Sequence, residues 1–191
     1  KVWFQRLSFI GELGWEIYIP IKKSEIIFKK IKKLGKKFKL TYSGMHTLDT
    51  LRLEKKFLHW GHDITSENNP FEAGLSFAVN FKKNENFIGR QSLEKIKEQP
   101  LSRKLELFSL RDKFEAGRPL LLHDEPIFKD QQIVGYTTSS NFSFYYKKNI
   151  CLAYVNGEIN EDLFIEVEGK KYALNLESKP LHDPESKLMR S

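Results

Sequence analysis

From residue 104 onward the chain is a series of short apolar runs, at 104–110, 120–122, 132–138, 149–155, 163–167 and 171–176, divided by turn-forming residues. Runs this short, rich in Val, Ile, Phe, Tyr and Thr, are strands, and strands spaced so closely pair with their sequence neighbours as an antiparallel barrel or sandwich. Gly169-Lys170 between the last two runs predicts a tight hairpin. The first hundred residues have a different texture, in which helical stripes dominate. The chain is therefore expected to be α+β, with the change near residue 100 dividing a region 1–100 from a small antiparallel β domain 101–191.

In the first region, residues 7–19 alternate around Gly11 and Gly14 and stop at Pro20, which predicts two strands or one bent strand with a turn at 11–14. Period two then sets Trp15, Ile17 and Ile19 on one face and Glu16 with Tyr18 on the other, where a ligand or water must meet the carboxylate. Ser24 is placed to cap a helix running to about Phe38, since Ile27, Ile31, Leu34 and Phe38 recur at one helical stripe. A second helix is expected over 45–56 with Met45, Leu48, Leu51 and Phe57 inward, its Asp49, Arg52 and Glu54 offering local ion pairs. A loop follows, then a strand at 75–80 and a helix at 91–98 closed by Pro100. The polar tail 180–191 is expected to wrap over the surface.

Composition removes several function classes. No apolar run approaches the ~20 residues of a bilayer-spanning helix, because a charged residue interrupts each candidate. The net charge of +7 invites a nucleic-acid partner, but residues 22–39 hold nine lysines and one Glu, so the excess belongs to a single helix face. Only seven of the 32 basic residues are Arg, the side chain that phosphate and base recognition draws on most. Neither a nucleic acid nor a membrane is expected as a partner. Cys151, the one cysteine, sits in Ile150-Cys151-Leu152-Ala153 and reads as a buried, inert thiol.

Few residues carry chemistry on their own. His59, His62, Asp63 and Glu67 are of metal-ligand type, but two histidines three apart in a loop, with no cysteine partner, make a weak signal, and no metal site is expected. No phosphate-binding loop, dinucleotide fingerprint or nucleophile elbow occurs. Glu16 remains, a carboxylate on an otherwise aromatic strand, which needs paired donors: the N–H edge of a pterin or guanine supplies them, and so does an arginine of the protein. The residues alone leave those two readings equal.

The ordered series Gly11-Glu12-Leu13-Gly14-Trp15-Glu16, Asp49-Thr50-Leu51-Arg52-Leu53-Glu54-Lys55, His59-Trp60-Gly61-His62-Asp63 and Asn69-Pro70-Phe71-Glu72-Ala73-Gly74-Leu75 resembles the aminomethyltransferase (glycine-cleavage T-protein) superfamily. Phe87-Ile88-Gly89-Arg90, Arg103-Lys104-Leu105 and Gly135-Tyr136-Thr137-Thr138-Ser139 continue it in the same order. Within the superfamily, His59-Trp60-Gly61 and the tail Pro180-Leu181-His182-Asp183-Pro184 look most like the carboxy-terminal half of dimethylglycine and sarcosine dehydrogenases. The resemblance implies the end of an antiparallel-sheet-plus-helices folate-binding region followed by a β-barrel domain. It implies tetrahydrofolate as cofactor, a small methylated amine as the one-carbon source, and FAD only in an upstream flavin domain.

By the same resemblance Glu16 falls on the carboxylate that binds the pterin, Phe9 on a folate-contacting aromatic that is usually Tyr, and Arg52 and Glu54 on family positions read as structural. The acidic catalytic residue of the family would lie upstream, so no catalytic residue is assigned. Lys1-Val2-Trp3-Phe4 enters strand-like sequence at once, as expected of a piece of a longer protein. Leu48 stands where stand-alone aminomethyltransferases carry Arg, which favours the dehydrogenase branch over that alternative. A folate-binding protein without turnover is the other alternative. The compartment implied is bacterial cytoplasm or mitochondrial matrix.

Overall fold

The structure is a computed structural model that describes residues 1–159 and 162–191. It opens on a two-stranded antiparallel ladder, β1 (Trp3–Gln5) against β2 (Glu16–Tyr18), followed by helix α1 (Ile21–Gly35) and helix α2 (Met45–Glu54). After an irregular stretch comes α3 (Arg90–Lys97), and then a closed barrel of β3 (Arg103–Leu110), β4 (Pro126–Lys129), β5 (Gln132–Ser143), β6 (Lys148–Asn156), β7 (Leu163–Val167) and β8 (Lys170–Glu177). A short α4 (Lys187–Arg190) lies in the tail. The barrel order is β3-β6-β5-β4-β7-β8, every pair antiparallel, with β3 closing the ring by pairing both β6 and β8. Closure leaves no strand edge open, so the barrel, rather than a sandwich, is the answer the runs of alternating residues find.

Two hydrophobic clusters explain why β6 is apolar without alternation. Cys151, Ala153 and Val155 point into the barrel beside Phe108, Ile127, Ile165 and Leu174, whereas Ile150 and Leu152 turn outward onto Leu53 of α2, with Leu105 and Leu107. Both faces of β6 are thus covered, and α2 lies across the outside of the barrel. Burial pushes the Cys151 thiol up to about 12, which leaves it un-ionised and unreactive. Gly135 lets β5 lie close against β6: a Cβ there would lie 1.9 Å from the Tyr154 carbonyl oxygen. The Glu168-Gly169 pair, both at positive φ, makes the two-residue turn between β7 and β8.

Several elements differ from the sequence expectation. The first strand is Trp3–Gln5 rather than the alternating residues from Leu7, because Leu7–Ile10 bend away into the turn that carries Gly11. Ser24 does not cap α1; Pro20 holds the cap position and the Ser24 hydroxyl donates back to the Ile21 carbonyl oxygen at 2.7 Å. Residues 120–122 are not a strand, β4 takes that place, and residues 75–80 contain a 3-10 turn, Ser76–Ala78. In α2 the buried residues are Thr50, Arg52, Leu53 and Glu54, while Met45 is exposed. The stripe on α1 stays largely exposed: Leu34 is 60% and Phe38 82% exposed, and among the described residues the substantial neighbour of α1 is only the 3-10 turn that follows it.

Candidate functional site

The β1–β2 register pairs Gln5 with Glu16 and Trp3 with Tyr18, so Glu16 and Tyr18 leave the ladder on one side, as period two requires. The Tyr18 phenol donates to Glu16 Oε2 at 2.6 Å, and this bond, ahead of the carboxylate's charge, pushes the phenol above its usual range. Among the described residues no basic side chain pairs with Glu16, so the arginine that could have explained this carboxylate is not there. The exposed Glu16 keeps lone pairs available for a planar partner with adjacent N–H groups.

Phe9 lies in the turn between the two strands, seven residues before Glu16. Its ring meets His59 edge-on at 5.6 Å and forms part of the wall of a cleft of about 500 Å³ with Phe57, Leu58, Ile64 and Leu75. Glu16 does not line that cleft, and no ring contact or hydrogen bond joins it to Phe9 among the described residues. The structure therefore brings Phe9 to His59 and leaves Glu16 on the neighbouring ladder.

The turn that carries Phe9 is held from below by residues that hydrophobic patterning passes over. Gly11, at φ +73°, sits against the aliphatic stem of Lys55, where a Cβ would come within 2.6 Å of Cγ. The buried Lys55 ammonium reaches Asp183 Oδ2 at 2.9 Å and Glu12 Oε1 at 3.6 Å, and His182 Nε2 lies 3.1 Å from the same Glu12 oxygen. The tail thus clamps the turn onto the end of α2. The hydrogen bond from Lys55 holds the Asp183 carboxyl down to about 2, from an ordinary value of 3.8, aided by the Leu188 and Lys187 backbone N–H groups. A carboxylate depressed in the folded state stabilises the fold above its unfolded pKa and loses that contribution as pH falls through the folded value. Acid titration of the thermal midpoint is therefore expected to bring wild type and Asp183→Asn together between 3.8 and about 2, with wild type higher above that window. A gap that stays constant through the window would show that Asp183 is not an ionic clamp.

Arg52 makes the second clamp. Its guanidinium donates to Asp63 Oδ2 at 2.5 Å, to Ser139 Oγ at 2.6 Å and to the Phe57 carbonyl oxygen at 3.2 Å. Asp63 also accepts from the Thr138 hydroxyl at 2.6 Å and the His59 N–H at 2.8 Å. Consecutive strand residues ordinarily face opposite ways; here the β5–β6 register shifts between Thr137 and Ser139, and both Thr138 and Ser139 reach the α2 side. The Asp63 carboxylate is thereby fully engaged. The rings of His59 and His62 lie 4.5 Å apart, and among the described residues no group of three or more His, Cys, Asp or Glu is arranged to hold a metal ion.

Two family models tile this architecture in order. Residues 1–83 match the GCVT N-terminal domain and residues 103–183 match the glycine cleavage T-protein C-terminal barrel domain. The chain belongs to the glycine-cleavage T-protein superfamily. It is 34% identical over 181 residues to mitochondrial dimethylglycine dehydrogenase of Mus musculus, spanning 92% of this chain and 20% of that enzyme. It is 31% identical over 195 residues to mitochondrial sarcosine dehydrogenase of Homo sapiens, spanning 97% and 21%. An aminomethyltransferase of Thermoanaerobacter pseudethanolicus is 36% identical over 176 residues, spanning 92% and 45%. The solved aminomethyltransferase T of the glycine cleavage system from Bartonella henselae superposes with a TM-score of 0.78 at 27% identity, covering 96% of this chain and 50% of that one. The T-protein chain described here therefore spans about a fifth of the dehydrogenases and half of the aminomethyltransferases it matches.

Proposed function

We propose that this chain is the tetrahydrofolate-binding part of a dimethylglycine or sarcosine dehydrogenase-like enzyme, which captures an oxidised N-methyl carbon as 5,10-methylenetetrahydrofolate. On this reading residues 1–100 are the end of the folate-binding domain and 101–191 the barrel domain. The observation that carries it is the match of both halves, in order, to T-protein domains, with dehydrogenases among the relatives. Bound folate would supply the two amines that trap the carbon. The residues present fit such a group: Glu16 is accessible, without a cationic partner among the described residues, and able to accept two parallel N–H bonds from the pterin. Phe9, lacking the hydroxyl of Tyr, offers ring contact only. The chain's role is to hold and orient the amines, since positioning of two reactants supplies much of such a barrier reduction. Oxidation of the methylated amine and its FAD belong, in this proposal, to a flavin domain of the parent enzyme, in the mitochondrial matrix or bacterial cytoplasm. The glycine-cleavage alternative has in its favour the identity to aminomethyltransferases, and against it Leu48.

Calorimetric titration with tetrahydrofolate tests the assignment. Hydrogen bonds to a charged group contribute about 1.5–3 kcal/mol, so Glu16→Ala is expected to weaken binding by roughly tenfold or more, and Glu16→Gln, which replaces one acceptor by a donor, nearly as much. Unchanged affinity in both variants would make Glu16 a structural residue; absence of binding to wild type would leave only the fold.

A further inference from the structure

The turn between β1 and β2, residues 6–15, has little to hold it from within. The ladder ends where Gln5 pairs with Glu16, and beyond it no backbone hydrogen bond involves residues 6–15 among the described residues. A connection without its own backbone bonds takes its shape from side-chain contacts, and it opens more readily than the elements it joins. The contacts that its polar and aromatic side chains make are few. Arg6 donates to the Met189 and Ser191 carbonyl oxygens, Phe9 meets the His59 ring, and the Glu12 carboxylate faces Lys55 and His182.

The Glu12 contact is the one that protonation can change near neutrality. Glu12 Oε1 lies 3.1 Å from His182 Nε2 and 3.6 Å from Lys55 Nζ, whereas Lys55 sits nearer to Asp183, at 2.9 Å. One ammonium thus serves two carboxylates, and the imidazolium of His182 is the second positive charge that the cluster can gain. The imidazole is itself fixed: the His182 N–H donates to the Glu54 carbonyl oxygen at 3.2 Å, and the ring lies 4.8 Å from that of Tyr145. His46 and Glu54 of α2 line the cleft that His182 and Tyr145 share, and Glu12, Lys55 and Asp183 complete the ionisable groups around it. A neutral His182 gives Glu12 at best one ordinary hydrogen bond from the Nε2–H tautomer; a charged one makes the same contact charge-assisted, shorter and about twice as strong.

We infer that His182 is the positioning residue of this turn: protonated, it draws Glu12 onto the end of α2 and thereby sets how the chain presents Phe9 and Glu16. Those two residues lie three before and four after Glu12, so a shift of Glu12 reaches both. Among the described residues no hydrogen bond or ring contact joins His182 to either, and it lines a different cleft from Phe9. It acts, therefore, through Glu12. The inference rests on the folate reading of Glu16 and Phe9, and adds that the turn holds tetrahydrofolate more tightly below the ordinary histidine range than above it.

Two measurements on the full chain test it. Without ligand, the Gly11 and Gly14 amide resonances are followed by NMR from about pH 5.5 to 8.5, across the ordinary histidine range, beside the His182 ring. They are expected to move with the ring's own midpoint in wild type, and to stay flat in Glu12→Gln and in His182→Gln, which keeps a donor for Glu12 but carries no charge. With ligand, calorimetry gives the ratio of tetrahydrofolate affinities of wild type and His182→Gln, from which any titration of the folate itself cancels. That ratio is expected to fall from roughly fivefold at about pH 6 to near one at about pH 8. Glycine amides that ignore the His182 titration overturn the inference, and so does a ratio that is constant with pH, which is what a purely structural His182 gives. A wild type that binds no tetrahydrofolate overturns the folate reading instead, and the glycine amides then decide alone whether His182 orients the turn. Should His182→Gln not fold, the wild-type amide titration and Glu12→Gln carry the same decision.

Discussion

Asp63→Ala is expected to cost about 3–5 kcal/mol in urea or thermal unfolding, because it strands a buried guanidinium without its carboxylate. Arg52 is 3% and Asp63 1% exposed, so water cannot easily take the place of the missing partner. The loss extends beyond the pair, since Thr138 and the His59 N–H lose their acceptor in the same step. The effect should fall on both regions of the chain at once, with one cooperative transition moving to lower denaturant, because Arg52 and Asp63 belong to the first hundred residues and Ser139 and Thr138 to the barrel. Asp49→Ala is the control: its carboxylate lies 3.6 Å from Arg52 Nε and is partly exposed, so its removal should change stability by well under ~1 kcal/mol. Equal effects from the two substitutions would mean that the buried network does not tie α2 to the barrel.

Gly135→Ala carries the second large effect. The atom that a Cβ would strike at 1.9 Å is the backbone oxygen of Tyr154, and the next contacts, Tyr154 C and Val155 Cα at 2.9 and 3.1 Å, are backbone too. No side chain can rotate to make room, so the ladder between β5 and β6 must open locally. Overpacking ordinarily costs about 1–3 kcal/mol, and a clash with fixed backbone belongs at or above the upper end of that range. Thermal unfolding checks the magnitude, and amide exchange in β6 should accelerate most at the alternate N–H groups that face β5 rather than β3. A midpoint within a degree or two of wild type would show that the strands can slide apart at little cost.

The barrel is largely legible because short apolar runs stand between clear turns, and Gly169 marks one of them. The strand that escaped notice, β4, is four residues long and begins with Pro126, a residue that argues against strand on its own. The apolar 120–122 stretch reads as the strand instead, although its Leu122 carbonyl serves as an acceptor for Thr137 and Ser140 hydroxyls. Hydrophobic counting misled most at α2, where the residues turned inward are Arg52, Glu54 and Lys55. Charges can be buried there only because partners 11, 89 and 128 residues away reach them, and separations of that kind leave no mark in local sequence. The same reason holds around the candidate site: the alternation that sets Glu16 apart is local and readable, whereas the union of Arg52 and Asp63 with Thr138 and Ser139 exists only once the chain has closed on itself.

The tail has a temporal consequence. Arg6 holds the carbonyl oxygens of Met189 and Ser191, across 183 and 185 residues, and His182 meets Glu12 across 170. During vectorial synthesis the turn bearing Phe9 emerges early but finds its fastening only after the barrel strands have been made. The entropy of closing so large a loop rises slowly with length, so delay, more than free energy, is what such a connection imposes. The turn is thus fastened only when residues 182–191 arrive, after every barrel strand that follows it has been made.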